Sequence, residues 1–195
     1  MATHPNLRAT PVARKALVPN AILGVLIFIV TEAMLFAGLI SAFVISKSGA
    51  APGAWPPPGQ PRLPVEETLI NTIALVVSGI LVIFVNRDFI ARRSRALAMW
   101  SAALALGTFF LLFQGWEWTS LITSGLTMHT SNHGAFFYLI VGMHGLHVVA
   151  GLSAMAGLFL SARAQNLSPD ALRAGSLYWG FVVGLWPILY WLVYL

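Results

Sequence analysis

Four ionisable side chains lie inside long apolar stretches of the sequence. Glu32 and Glu117 are single carboxyl groups, whereas His144 and His147 are three residues apart, so that a helix would place both rings on one face. A charged residue at the centre of a bilayer costs about 2.5 to 3.5 kcal/mol on insertion scales, so each of these residues requires an explanation. Carboxyl and imidazole groups can exchange protons, bind a metal ion or form hydrogen bonds to a neighbouring helix.

Two interpretations of Glu32 have equal weight. Its carboxyl group could exchange protons or bind a partner, or it could be a neutral acid that is hydrogen-bonded inside a helix bundle. Small residues recur at four-residue spacing, at Ala33, Ala37 and Ser41, and would allow a second helix to approach beside the acid. We therefore expect Glu32 to face protein rather than lipid, close to the two histidines.

The histidine pair, His144 and His147, could ligate a metal ion or a haem, because imidazole is the common nitrogen ligand. A haem with two histidine ligands would take them from facing helices, and no other apolar stretch carries a central histidine. Hydrogen bonding between helices is the simpler interpretation, and we expect no metal site. Gly142 and Gly145 flank the pair and predict a close helix contact.

Glu117 lies between two tryptophans near one end of its apolar stretch, where a carboxylate could remain in contact with water. We expect an acid at the rim of the membrane, with a proton-related role as the alternative. The sequence has no cysteine, so disulfides, thiolate metal sites and a cysteine nucleophile are excluded. It also has no phosphate-binding loop, dinucleotide fingerprint or nucleophile elbow, and it offers no complete catalytic set of its own.

Membrane-spanning helices must position these residues. Of the 195 residues, 58% are hydrophobic and only 9% are charged, which is too apolar for a soluble domain. A spanning helix needs about 20 apolar residues, and none of the apolar stretches alternates as a barrel strand does. The sequence therefore predicts an all-α membrane bundle of five spans, at residues 21–45, 68–85, 97–118, 135–162 and 174–194, within one domain over residues 19–195 that follows a polar arm of residues 1–18.

The basic residues are distributed unevenly among the segments outside the spans. Nine Lys and Arg residues lie in the N-terminal arm and in the second and fourth connections, whereas the first connection holds two. By the positive-inside rule, the N-terminus is cytoplasmic and the C-terminus lies outside. The net charge of +5 comes from these topology signals rather than from one clustered basic face, so we expect no nucleic acid as a partner.

Several short motifs follow one another in the order that one family shows. Glu32 belongs to a Thr-Glu pair, a Trp-Pro-Pro sequence begins at Trp55, and a Leu-Ile-Asn-Thr sequence begins at Leu69. A Phe-Gln-Gly-Trp-Glu-Trp sequence begins at Phe113, and a Gly-Met-His-Gly-Leu-His-Val sequence begins at Gly142. The motifs cover the chain from about residue 20 to its end. On these motifs the sequence resembles subunit III of the haem-copper terminal oxidases, in its five-span form.

This resemblance implies a non-catalytic accessory subunit of a respiratory oxidase that reduces oxygen to water. Such a subunit carries no cofactor itself, while haem and copper belong to partner subunits. The resemblance implies that the chain packs against subunit I, in a complex with subunit II and other subunits, binds phospholipid and supports proton uptake. It also implies a multi-pass protein of the bacterial cytoplasmic (inner) membrane. Glu32 matches the family's mid-membrane glutamate, and His144 and His147 match its histidine pair.

The last span departs from the family's pattern. Where the family commonly has a histidine and an aspartate, this sequence has Gly180 and Val183. Gly180 and Gly184 form a Gly-x-x-x-Gly face, which predicts closer helix packing in place of a polar contact. A related protein of a nitric oxide reductase system remains an alternative. A free-standing transporter or redox carrier, which would use Glu32 and the histidines directly, is the alternative of another class.

Overall fold

Five long helices make up the fold. The computed structural model describes residues 18–51, 53–91 and 93–195, so the predicted polar arm lies outside the described residues except for Val18. All five helices are long and apolar enough to cross a membrane, and the described ranges contain no strand, which confirms the all-α five-span prediction. The helices are α1, Asn20–Ser48; α2, Val65–Ile90; α3, Arg95–Thr123; α4, Asn132–Arg163; and α5, Pro169–Tyr194.

Serine side chains cap the first turns of α4 and α5. The Ser131 hydroxyl accepts a hydrogen bond from the Gly134 backbone N–H at 3.0 Å at the start of α4. At the start of α5, the Ser168 hydroxyl accepts one from the Ala171 N–H at 3.2 Å. Helices α1 to α4 exceed their predicted apolar spans at both ends, and α5 begins before its predicted span.

Helices α2 to α5 form a bundle, and α1 lies at its edge. α2 and α3 make the most extensive contact, while α5 packs against both α2 and α4. Within the described residues, α1 contacts α4 and α5 but neither α2 nor α3. The core of the bundle contains three fully buried tryptophans, Trp100, Trp179 and Trp186. Large aromatic side chains therefore fill the space where the four helices meet.

The proline-rich connection between α1 and α2 covers the end of the bundle at which α1 ends and α2 begins. Its Trp55 packs edge to face against Phe43 of α1, with ring centroids 5.7 Å apart, and against His133 of α4, at 5.3 Å. At the opposite end, Arg93 and Arg95 bind the buried carboxylate of Asp88. These contacts hold the α2–α3 turn against the helix end.

Candidate functional site

Glu32 and His147 form a direct contact near the centres of α1 and α4. The Oε2 atom of Glu32 lies 2.8 Å from the Nε2 atom of His147, and their side chains are only 16% and 10% exposed. The structure thus places Glu32 within the bundle and beside the α4 histidines, as the sequence predicts. At this depth the contact has little access to water, so its strength is greater than that of a surface ion pair.

The rest of the His147 ring is held by the protein. Its Nδ1 atom lies 2.7 Å from the carbonyl oxygen of Met143, one helical turn earlier. The Phe36 ring of α1 packs edge to face against the imidazole at 5.3 Å, and the Tyr178 hydroxyl of α5 donates to the His147 carbonyl oxygen at 3.4 Å. Three helices therefore meet at His147, and both ring nitrogens have defined partners.

His144 has a different environment from His147. Its ring is fully buried and stacks on Trp186 of α5 at 4.9 Å, with Phe110 of α3 at its edge. Neither ring nitrogen has a hydrogen-bond partner among the described residues, so the predicted hydrogen bonding between helices is found for His147 but not, in this part of the chain, for His144. Three residues along a helix rotate a side chain by about 300°, so the two rings point about 60° apart and meet different helices.

Glu117 is a buried acid, and the expectation of a solvated acid at the membrane rim is wrong. It is 1% exposed, although its neighbour Trp116 is 62% exposed. The Thr68 hydroxyl lies 2.8 Å from Oε1, and the Gln114 amide nitrogen donates to Oε2 at 2.7 Å. The same amide nitrogen lies 3.1 Å from the Tyr194 hydroxyl. α2 and α5 pack against the face of α3 that carries Glu117. Hydropathy alone does not indicate which face of a helix its neighbours cover.

Polar residues of α2 that were missed in the sequence form much of the helix–helix contact. Trp186 donates its indole N–H to the Thr72 hydroxyl at 2.8 Å, and Trp179 donates to the Ser78 hydroxyl at 3.2 Å. Asn71 donates its amide N–H to the Phe110 carbonyl oxygen at 3.2 Å. The signal that could have found them is that their positions fall within about 120° of one another around an otherwise apolar helix. The buried polar residues of that face are Thr68, Asn71, Thr72 and Ser78.

The predicted glycine contacts occur on α4 but not on α5. A Cβ atom at Gly142 or Gly145 would lie 3.6 or 3.5 Å from the ring of Trp118, which is ordinary packing against α3. A Cβ atom at Gly180 or Gly184 would meet nothing within 4 Å among the described residues. Both of these glycines instead line an open groove between α2 and α5. Close packing through this pair is therefore not made within the described chain, because the α5 face that carries it points away from the core.

The polar side chains at membrane depth thus join different helices instead of forming one cluster. Glu32 contacts α4, whereas Glu117 contacts α2 and a residue of its own helix. Across the described parts of the chain, no three His, Asp or Glu side chains converge closely enough to hold a metal ion. The fold and these contacts define a multi-pass membrane bundle whose buried polar groups bind its helices to one another.

Comparisons with known proteins give the family. The profile described as "Cytochrome c oxidase subunit III" matches residues 12–195. A "Probable cytochrome c oxidase subunit 3" of Mycobacterium leprae is 33% identical over 90% of this chain and 88% of the relative. A "Cytochrome c oxidase subunit 3" of Hippopotamus amphibius is 31% identical over 95% of this chain and 71% of the relative. The chain belongs to the cytochrome c oxidase subunit III family and is an accessory subunit of a haem-copper oxidase.

Proposed function

We propose that this chain is the non-catalytic third subunit of a bacterial haem-copper oxidase, in which it stabilises subunit I and supports proton uptake. Family membership over nearly the whole chain supports the place in an oxidase. The observation that carries the proton-related role is the Glu32–His147 contact, because two groups that can exchange a proton lie 2.8 Å apart near the middle of the membrane. Haem and copper belong to the partner subunits in this proposal.

The exposed surface of α1 supports association with further membrane components. Most of this helix faces outward, and large apolar side chains such as Ile27, Val30 and Met34 are 59%, 59% and 70% exposed. Within a bilayer such a surface contacts lipid or the helices of another subunit. We assign subunit I as the principal partner, with subunit II and other subunits in the same complex.

An open groove between α1, α4 and α5 suits a phospholipid chain. It has a volume of about 580 Å³ and lies between Val25 and Phe28 of α1 and the small residues Ala154, Gly157 and Gly175 of α4 and α5. Its lining is almost entirely apolar, and an acyl chain requires no hydrogen-bond partner. Lipid extraction from the purified complex, followed by mass spectrometry, should identify bound phospholipid. A complex that is fully active and free of lipid would contradict this assignment.

The arginine-rich ends of the helices support an orientation in the bacterial inner membrane. Arg87, Arg93 and Arg95 lie at the α2–α3 end of the bundle, and Arg163 and Arg173 lie at the end where α4 and α5 are joined. The positive-inside rule assigns this end to the cytoplasm. A protease-accessibility assay on spheroplasts, with epitope tags at each terminus, should find the N-terminus protected and the C-terminus accessible.

Purification of the tagged chain from its native membrane tests the proposed complex. We expect co-purification with a haem-bearing polypeptide, identified by mass spectrometry, and oxygen consumption by the purified assembly. An assembly that consumes nitric oxide instead of oxygen would favour the nitric oxide reductase alternative. A lone chain that binds iron or copper, or transports a solute, would contradict the accessory role.

The Glu32→Gln substitution tests the proton-related role. We expect normal assembly and haem absorbance, because glutamine can still donate a hydrogen bond to His147, but slower proton uptake or a shorter turnover lifetime. The matched control is Glu66→Gln, which changes an exposed glutamate in the first turn of α2. Loss of haem absorbance in the Glu32→Gln complex would contradict an accessory role for Glu32, because it would mean that haem binding in the complex depends on this residue.

A further inference from the structure

The hydrogen bonds of His147 fix the number of protons that the Glu32–His147 pair holds. The Met143 carbonyl oxygen has no proton to donate, so Nδ1 must donate the hydrogen in its 2.7 Å contact. The 2.8 Å contact between Nε2 and the Glu32 carboxyl group then requires one hydrogen between the two atoms. This hydrogen belongs either to an imidazolium beside a carboxylate or to a carboxylic acid beside a neutral imidazole. The net charge of the pair is zero in both forms.

Any change in that number of protons weakens the contact. If the shared proton is removed, the imidazole can bond either to Met143 or to Glu32 but no longer to both, because it keeps a single N–H. If a proton is added, Glu32 becomes a neutral and weaker acceptor and the pair carries a positive charge at membrane depth. The contact is therefore strongest when one proton is shared.

The surroundings of the pair provide no compensating charge. Phe36 of α1 packs against the His147 ring, and the titratable groups nearby are Tyr178 of α5 and His144 of α4, neither of which is an acid that is ionised at neutral pH in its ordinary form. Among the described residues, no Lys or Arg side chain lies within 4 Å of Glu32. A gain or loss of one proton would therefore leave an uncompensated charge between α1 and α4.

α1 has few buried residues and one side-chain hydrogen bond to the rest of the described bundle. Only Phe36 and Phe43 of its described residues are buried. The other side-chain hydrogen bond of α1, from Thr31 to the Phe28 carbonyl oxygen, lies within the helix, so the Glu32–His147 bond is the one that joins α1 to the described part of the bundle. We infer that this pair is a proton-dependent latch: it holds α1 against α4 while one proton is shared, and loosens α1 when the pair gains or loses a proton.

Hydrogen exchange with mass spectrometry, on the intact purified complex over a range of pH, tests the latch. The intrinsic rate of amide exchange also changes with pH. We therefore divide the exchange rate of α1 peptides by that of α2–α3 peptides, which cancels this common effect. We expect this ratio to rise about tenfold on leaving the pH range of the shared proton, because a charge-assisted hydrogen bond of about 1.5 kcal/mol corresponds to that factor. The ratio should show the same pH dependence in the control Glu66→Gln.

Two variants separate a titrating contact from a static one. In Glu32→Gln the glutamine amide donates to Nε2 and has no acidic proton to lose, so the rise of the exchange ratio on the alkaline side should disappear, whereas protonation of His147 still weakens the contact on the acid side. In Glu32→Leu the bond is absent, so the ratio should be high at every pH. Equal pH profiles in the wild type and Glu32→Gln would overturn the latch, as would a low ratio in Glu32→Leu. The subunit composition and oxygen consumption of the same samples report separately on the proposed function.

Discussion

α1 and the α2–α5 bundle are both apolar enough to span a membrane, yet the bundle holds its helices much more firmly. α2 has nine buried residues, and α1 has two. The difference lies in polar and aromatic contacts, because α2 bonds to α3 and α5 through Thr68, Asn71, Thr72 and Ser78. In lipid, apolar surface gains little by leaving one apolar environment for another. Tight packing and hydrogen bonds therefore decide which helices form the stable unit.

The largest effect is expected from a substitution at the centre of the bundle. Trp179 is 1% exposed, its ring lies against Gly107 and Gly151, and its N–H bonds to Ser78. Trp179→Ala should destabilise the bundle by about 3 to 5 kcal/mol, because it leaves a large cavity and removes one of the two hydrogen bonds of the Ser78 hydroxyl. The measurement is the loss of helical circular dichroism of the purified protein during denaturation with a strong detergent.

The control for this prediction is Trp191→Ala, which removes a tryptophan of the same helix that is 66% exposed. We expect the free energy of unfolding to change by less than about 0.5 kcal/mol in this variant. Equal losses in the two variants would show that the α2–α5 core is no more tightly held than the surface.

The second prediction concerns the buried acid of the bundle. Glu117→Ala should cost about 1 to 3 kcal/mol, because the Thr68 hydroxyl and the Gln114 amide each lose a buried hydrogen bond to the carboxyl group. Glu117→Gln should lose less than half of that, since its amide group can accept and donate in the same place. Glu67→Ala, at an exposed position of the α2 first turn, is the control in the same denaturation assay. A large loss in the control would remove the distinction between buried and exposed acids.

Much of the fold could be predicted from the sequence, because five apolar stretches of spanning length leave few other structures in a bilayer. The contact of Glu32 with a histidine of α4 was also predictable, since an acid at that depth requires a polar partner. The environments of His144 and Glu117 were not. Residue type and depth indicate that a side chain is costly to expose to lipid. What the side chain contacts depends on the rotation of its helix and on which helices are its neighbours, and hydropathy predicts neither.

The third prediction tests the edge helix. Phe36 is 1% exposed and packs against His147. Phe36→Ala should increase hydrogen exchange in α1 about tenfold, because it removes one of the two side chains that bury this helix. The free energy of unfolding of α2–α5 should change by less than about 1 kcal/mol, since α1 contacts neither α2 nor α3.

An equal loss of bundle stability in Phe36→Ala and Trp179→Ala would contradict the distinction between α1 and the α2–α5 bundle. Such a result would mean that α1 is part of the cooperative unit. Ile27→Ala, at a position of α1 that is 59% exposed, is the control and should leave exchange in α1 unchanged.

The smallest effect is expected in the open groove beside α5. A methyl group at Gly180 would meet nothing within 4 Å, so Gly180→Ala should stabilise the isolated chain by about 0.5 kcal/mol through helix propensity alone. Gly107→Ala is the matched contrast, because its methyl group would lie 2.9 Å from the Trp179 ring and should destabilise the bundle by about 1 to 3 kcal/mol. The detergent denaturation assay measures both. Destabilisation by Gly180→Ala would mean that the groove closes within the chain, because only a neighbouring helix at close distance gives a single methyl group a cost.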